Sequence, residues 1–366
     1  MDESTSKSGA RDISGAIRRA LGRQRGEASR QASDPQTPDV SARPGTREHE
    51  GVEPLVIGES VTTFGNEPWW TNKNWNRLPS SGGVNGLRIH NGVVGNLAVC
   101  GGSVRGRRHQ LAGQPNDDSF DITTVTDEAN NPAWLVTVVC DGVGSASFSD
   151  TGAARTAAHA AALVAHSLRA RPAISVREYE QAFSGQCERF LALVTSAVRD
   201  DVQKSAPGWV RQLDFTPPAD VELEELQTTL TICVMRANPN PDGQYDGVVI
   251  SVGDSPILRL RRTSITRIGV DNDRSEIWST ATSGALGATA AHIQMIHLEP
   301  DEALLVASDG IANFLTHDGQ LTALGKHAVS HWLTPIDAIT FARDLSFDLA
   351  SADDDRTAVM IWPRHA

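Results

Sequence analysis

The sequence is poor in the features that mark several large protein classes. Only four cysteines occur in 366 residues. Cys100, Cys140, Cys187 and Cys233 are far apart and form no CxxC pair, so neither a disulfide framework nor a zinc knuckle is expected. They should be reduced, mostly buried thiols. No run approaches the roughly 18 apolar residues of a membrane span, and MDESTSKSGA at the N-terminus lacks the apolar stretch of a secretory signal. A cytoplasmic protein is the expectation. Positive charge is also in deficit, with 33 Lys+Arg against 45 Asp+Glu and a formal charge of −12, which argues against nucleic acid as the main partner. GxSxG, HExxH and GxxxxGK[ST] are absent, so serine hydrolase, zincin and P-loop chemistries have no anchor.

What is present is the composition of a folded domain with a tail: 39% apolar residues, 21% charged and 31 glycines. Residues 1–52 are rich in Arg, Ser and Pro and poor in large apolar side chains, which cannot repay the entropy of ordering a chain. A disordered tail is expected there. Ile13, Ile17, Ala20 and Leu21, set among Arg11, Arg18, Arg19, Arg23 and Arg25, form either a transient helix or a short basic docking helix. A folded domain should occupy 53–366, beginning with a segment that holds Trp69, Trp70 and Trp75.

Within that domain, Trp134 to Asp141 is an apolar run of strand length, expected to be a central strand covered on both faces. Helices are expected from Thr151 to about Arg169, capped by Asp150 or Ser149, and from Val176 to about Arg199. The proline-bearing stretch 200–224 reads as an irregular excursion. Thr228–Arg236, Gly247–Val252, Pro256–Leu260 and Ser264–Val270 suggest an antiparallel meander. Strands at Ile293–Leu298 and Ala303–Ala307, helical patterns near 319–331 and 335–350, and a last strand Thr357–Trp362 complete an α+β pattern.

Acidic turns punctuate this pattern: Asp141-Gly142, Gly253-Asp254-Ser255 and Asp309-Gly310 after strands, Asp353-Asp354-Asp355 before the last one, and Asp117-Asp118 before a probable strand. A single Asp-Gly is an ordinary turn. Repeated at the ends of several strands of one sheet, such acids converge, and converging carboxylates must repel or share cations. Hard oxygen donors without a His or Cys cluster favour Mg²⁺ or Mn²⁺ over zinc. Paired divalent ions activate water for attack on phosphorus, which is phosphate ester hydrolysis.

In this order, the turns resemble the protein phosphatase 2C (PPM-type) family of metal-dependent serine/threonine phosphatases, in its bacterial branch. The matching stretches are Gly106–Phe120 (GRRHQLAGQPNDDSF), Val139–Ser145 with Asp150–Ala153, Thr228–Leu230, Gly253–Ser255, Ala307–Gly310 and Asp354–Thr357. The resemblance implies an αββα sandwich of two antiparallel sheets flanked by helices, with two or three Mn²⁺ or Mg²⁺ ions in a cleft at one edge of the sheets. It implies that Asp141 bridges the metals, that the Gly142 carbonyl joins the first, and that Asp309 and Asp354 hold the second. Asp118, and less directly Asp117, would hold metal-bound water, while Asp254 and Asp309 would form a weaker third site. A metal-bridging hydroxide would attack phosphoserine or phosphothreonine directly, on a protein phosphorylated by a kinase.

Two departures bear on this expectation. Relatives often carry an Arg five residues before the position of Asp118, where it pairs with phosphate, and here that residue is Gly113. Either Arg105, Arg107, Arg108 or His109 substitutes, or the metals bind phosphate without such help; His109 or Arg108 is the favoured substitute, Arg for bidentate phosphate contact and His as a donor. Some relatives place a His two residues after the bridging Asp, and here it is Val143. The family's flap maps to about 269–288, with Asp271, Asp273 and Arg274 in it. Rival interpretations are a nucleotide turn at Asp141–Ser147, which lacks the third glycine of GxGxxG, and an inactive pseudophosphatase serving as a binding module. The second would be expected to lack core acids, and none is missing.

Overall fold

Among the described residues, the chain first turns back on itself at Gly95-Asn96, between β1 (Leu87–Val94) and β2 (Leu97–Val104). In this computed structural model, residues 86–210, 222–268, 284–349 and 351–364 are described, with side chains 204–210 excepted. The expected tail 1–52, its basic segment, Trp69, Trp70, Trp75, and Asp271, Asp273 and Arg274 lie outside these residues. All described residues fall in the unit Glu53–Ala366.

A short helix α1 (Arg107–Ala112) leads to β3 (Ser119–Thr126) and β4 (Pro132–Cys140), followed by α2 (Ser149–Arg169), α3 (Val176–Ser184) and α4 (Cys187–Val210). Strands β5 (Leu230–Arg236), β6 (Tyr245–Val252), β7 (Ile257–Arg261), β8 (Ser264–Ile268), β9 (His292–Leu298) and β10 (Ala303–Ala307) come next. After α5 (Asp309–Ala312), the two-residue strands β11 (Thr316–His317) and β12 (Gln320–Leu321) precede α6 (Ala323–His331), α7 (Ala338–Leu345) and β13 (Arg356–Pro363).

Two antiparallel sheets form the frame. One has the order β1-β2-β13-β10-β7-β8, the other β3-β4-β5-β6-β9. Leu97, Val99, Phe120, Leu135, Val139, Cys233, Leu304, Val306, Val359 and Ile361 fill the space between them. Each fully buried aliphatic side chain there contributes about 1.5–3 kcal/mol. The other face of the five-stranded sheet is covered by α2, α3 and α4, and that of the six-stranded sheet by α6 and α7. Helix α2 lies close to β3 and β4 because its inward face is Ala153, Ala157, Ala160, Ala161 and Ala165, recurring at three- and four-residue spacings. The layering is helix, sheet, sheet, helix, and β4 is covered on both faces as its apolar run implies.

Several local expectations change. The pattern from Val176 to Arg199 is two helices: α3 has a reciprocal cap between Ser175 and Glu178 and stops at Gly185, and α4 starts afresh. Helix α4 continues through Val210, so the first part of the proline-bearing excursion is helical. Neither Asp150 nor Ser149 caps α2, because both lie inside it and Phe148 is the N-cap. Strands β5 to β8 are not one meander. Gly253-Asp254-Ser255 carries the chain from the five-stranded sheet to the six-stranded one. All four cysteines are buried and free, and among the described residues no helix is long and apolar enough to cross a membrane.

Candidate metal centre

The acidic turns meet where the two sheets are tied together. Asp141, at the end of β4, is fixed through its backbone: its N–H donates to Thr229 Oγ1 (2.9 Å), and its carbonyl accepts from Thr229 N–H (2.7 Å) and Thr228 Oγ1 (2.9 Å). Its carboxylate is left facing Asp309, whose N–H donates to Asp141 Oδ2 at 3.4 Å from 168 residues away. Thr229 Oγ1 also shares a hydrogen bond with Ser255 Oγ (2.8 Å), and Thr231 Oγ1 donates to the Ser255 carbonyl (2.7 Å), so β5 anchors the turn bearing Asp254.

Asp118 completes the group from the first residues before β3. It is only 8% exposed, and its Oδ2 is buried without a hydrogen-bond partner. Burial first, then the charges of Asp355 and Asp354, push its pKa well above the carboxylate range, although the hydroxyls of Ser308 and Thr357 favour its ionised form. Asp141 is raised in the same way, by burial and then by Asp118, Asp309, Asp354 and Asp254. Asp309 is raised by burial, Asp354 and Asp254, against hydrogen bonding shared with Asp141 and from the Gly310 backbone N–H. Asp117 is raised mainly by burial. Asp118, Asp141, Asp254, Asp309 and Asp354 thus act on one another as one anionic cluster. An unpartnered buried carboxylate oxygen inside such a cluster fits a divalent cation.

The glycines after Asp141 and Asp309 serve the loops. A Cβ on Gly142 would lie 2.6 Å from the Asp117 carbonyl, and one on Gly310 would overlap the Asp355 carbonyl. Backbone N–H of Gly142 donates to that Asp117 carbonyl at 3.1 Å, which brings the two turns together.

Arg108 stands at the mouth, about half exposed, with Nη2 donating to Asp354 Oδ1 at 3.1 Å. Gly113, where many relatives carry Arg, is the C-cap of α1 with φ +68, a left-handed conformation in which a side chain is strained. His109 is elsewhere. It is 6% exposed, and its Nδ1 lies 2.8 Å from Asp355 Oδ2, so that nitrogen is not free for substrate. The hydrogen bond to Asp355 raises the imidazole pKa, against the lowering effect of burial.

Sequence reasoning missed Asp355, which is concealed in a run of three aspartates, and it missed Arg267. Arg267 donates from Nη2 to Asn313 Oδ1 (3.1 Å), and Asn313 Nδ2 in turn reaches Asp309 Oδ2 (3.5 Å). Burial lowers the Arg267 pKa while Asp254 and Asp309 raise it, which places a cation beside these two acids. The nucleotide turn loses its basis, because Glu225 accepts from the N–H groups of Ser147 (Oε2, 3.1 Å) and Phe148 (backbone carbonyl, 2.8 Å) at the start of α2. A groove of about 1590 Å³ lined by Asp127, Pro172, Arg236 and Pro239 contains none of the clustered acids.

The sequence profile of the protein phosphatase 2C family matches residues 105–338, well over half of the chain. The chain belongs to the protein phosphatase 2C family. No curated protein matches it. Among solved structures, it is similar to a bacterial serine phosphatase (14% identity, covering 73% of this chain and 98% of that one, TM-score 0.46). It is also similar to the catalytic domain of the serine threonine protein phosphatase PstP in complex with two manganese ions (15% identity, 74% and 99%, TM-score 0.44). A third is PppA, described as a key regulatory component of T6SS in Pseudomonas aeruginosa (19% identity, 74% and 98%, TM-score 0.41).

Proposed function

We propose that this member of the protein phosphatase 2C family is a metal-dependent protein serine/threonine phosphatase that transfers phosphate directly to water, without a phosphoenzyme. The observation that carries this is the buried, unpartnered Asp118 Oδ2 within a complete set of converging acids. Asp141, Asp309, Asp354 and Asp254, with the Gly142 carbonyl, would hold Mn²⁺ or Mg²⁺, and Asp118 and Asp117 would act on their water. Bound divalent ions supply Lewis acidity, which lowers the pKa of water and neutralises phosphoryl charge.

The protein's own residues support direct hydrolysis. Cys140, the nearest thiol in sequence to Asp141, is fully buried, and burial pushes its pKa well above the usual thiol value, so it offers no thiolate. Ser149, Ser255 and Ser308 are buried as well. Arg108 takes the phosphate-binding role left open at Gly113, since its guanidinium is accessible and can hold two phosphoryl oxygens at once. With Val143 in place of a histidine and His109 committed to Asp355, protonation of the leaving alcohol falls to solvent. The substrate is a protein phosphorylated by a serine/threonine kinase, and four reduced buried thiols accord with a cytoplasmic setting.

An inactive binding module is the competing reading. Hydrolysis of p-nitrophenyl phosphate separates the two: turnover should require Mn²⁺, vanish in EDTA and fall at least 100-fold in Asp141→Asn. Absence of turnover with either Mn²⁺ or Mg²⁺ would leave the module.

A further inference from the structure

Two successive aspartates immediately before β13 face opposite ways, as residues leading into a strand do. The Asp354 side chain is 48% exposed toward Arg108, whereas that of Asp355 is 2% exposed. Both oxygens of Asp355 are engaged. Oδ1 accepts the Gly106 N–H at 2.5 Å, and Oδ2 accepts the Asp117 N–H at 2.6 Å and His109 Nδ1–H at 2.8 Å. A carboxylate accepts only, so the proton of this pair sits on His109 Nδ1. The His109 Nε2 lies 3.8 Å from Asp117 Oδ2, too long for a hydrogen bond. Arg108 N–H adds a backbone bond to the Asp353 carbonyl (2.9 Å). Through these contacts one buried anion joins two segments about 240 residues apart: the loop carrying Asp117 and Asp118, and the loop carrying Asp354.

We infer that Asp355 and His109 are positioning residues that fix the Asp117-Asp118 loop against Asp354, so that the cluster is shaped for cations before they arrive. Neither is a metal ligand. His109, Asp117 and Asp355 could offer ligand atoms within 4.8 Å of one another, but three donors already occupy the Asp355 oxygens. Supporting residues of this kind hold ligands in their binding geometry, and losing one typically weakens metal affinity by about 10–100-fold. The inference rests on the metal site proposed above and extends it to residues that touch no cation.

Mn²⁺ binding to the full chain, followed by isothermal titration calorimetry, tests it independently of turnover. Four substitutions are compared: Asp355→Asn, His109→Leu, His109→Asn and His109→Gln. Asparagine puts an amide N–H near the position of Nδ1, and glutamine puts one near Nε2. Asp355→Asn, His109→Leu and His109→Gln should weaken Mn²⁺ binding at least tenfold with an unchanged number of ions, while His109→Asn stays within about threefold of wild type. Wild-type affinity in both Asp355→Asn and His109→Leu overturns the inference, as does a loss of bound ions rather than of affinity. If His109→Leu does not fold, Asp355→Asn and the Asn/Gln pair decide alone. Failure of the wild type to bind Mn²⁺ removes the metal-site reading and this inference with it, whereas binding that is lost in Asp141→Asn but indifferent to His109 and Asp355 removes this inference only.

Discussion

Asp141→Asn separates what the acidic cluster does for stability from what it does for function. In the metal-free protein, Asp141 is mostly buried and its ionised form is opposed by burial and by Asp118, Asp309, Asp354 and Asp254. Two unit charges 4 Å apart interact by about 4 kcal/mol at an effective dielectric of about 20, and by about half of that at twice the distance. Neutralising Asp141 therefore relieves about 2–4 kcal/mol of repulsion. Asparagine keeps an oxygen for the long contact from the Asp309 N–H, and the weaker acceptor costs about 1 kcal/mol. The net expectation in EDTA at pH 8 is a stabilisation of about 1–3 kcal/mol, a rise in Tm of about 2–5 °C for a domain of this size.

Saturating Mn²⁺ should reverse the order. At 1,000 times its Kd, a ligand adds about 4.1 kcal/mol to the wild type, more than the advantage of the variant in EDTA, and a variant that no longer binds it gains nothing. The pH dependence has a definite sign. A carboxyl whose pKa is raised on folding binds more protons in the folded than in the unfolded state, so it subtracts stability as pH climbs from the unfolded value of about 3.9 through the raised folded value. Asparagine lacks this slope. The advantage of the variant should be absent near pH 4 and complete at alkaline pH. Differential scanning fluorimetry in EDTA and in Mn²⁺ reads all three effects, and a variant less stable than wild type in EDTA at pH 8 refutes the reasoning.

Arg108→Ala should raise KM for a phosphothreonine peptide about tenfold while kcat changes less than about threefold, as expected for a lost phosphate contact; an unchanged KM contradicts that role. Asp344 joins α6 to α7 by accepting from His327 Nε2 (2.9 Å), Trp332 Nε1 (2.9 Å) and Arg343 Nη2 (2.9 Å). Burial raises its pKa, but the hydrogen bonds together outweigh burial and hold it below the usual carboxylate range. A depressed folded pKa gives stability that is present above about 3.9 and lost as pH falls through the folded value. Asp344→Asn should therefore cost about 2–4 kcal/mol in urea unfolding at pH 7 and markedly less near pH 3, and an equal cost at both values would contradict this.

The layered fold and five of the cluster's acids were legible because each motif joins a short apolar run to an Asp turn, and strand ends converge. What stayed hidden depends on contacts between distant segments. Asp355 lies in an acidic triplet, and only the folded chain shows that it points inward to Gly106, His109 and Asp117 while its neighbour points out. His109 was visible as an unusual residue beside the acids, yet its partner lies 246 residues away, so sequence could not separate a phosphate ligand from a loop clamp. Prolines concealed the end of α4, and the turn at Gly253-Asp254-Ser255, which looks like any hairpin turn, concealed the change of sheet between β6 and β7. The Arg missing at position 113 has a local reason in the left-handed end of α1.

The central claim is that these acids hold cations that turn over phosphorylated protein. Its most direct test is phosphate release from a phosphothreonine peptide by the full chain, stripped with EDTA and titrated with Mn²⁺, beside Asp118→Asn. Release that starts from zero, rises with Mn²⁺ to a plateau and falls at least 100-fold in the variant is the predicted result. Release that is indifferent to EDTA, or absent with both Mn²⁺ and Mg²⁺, would contradict it.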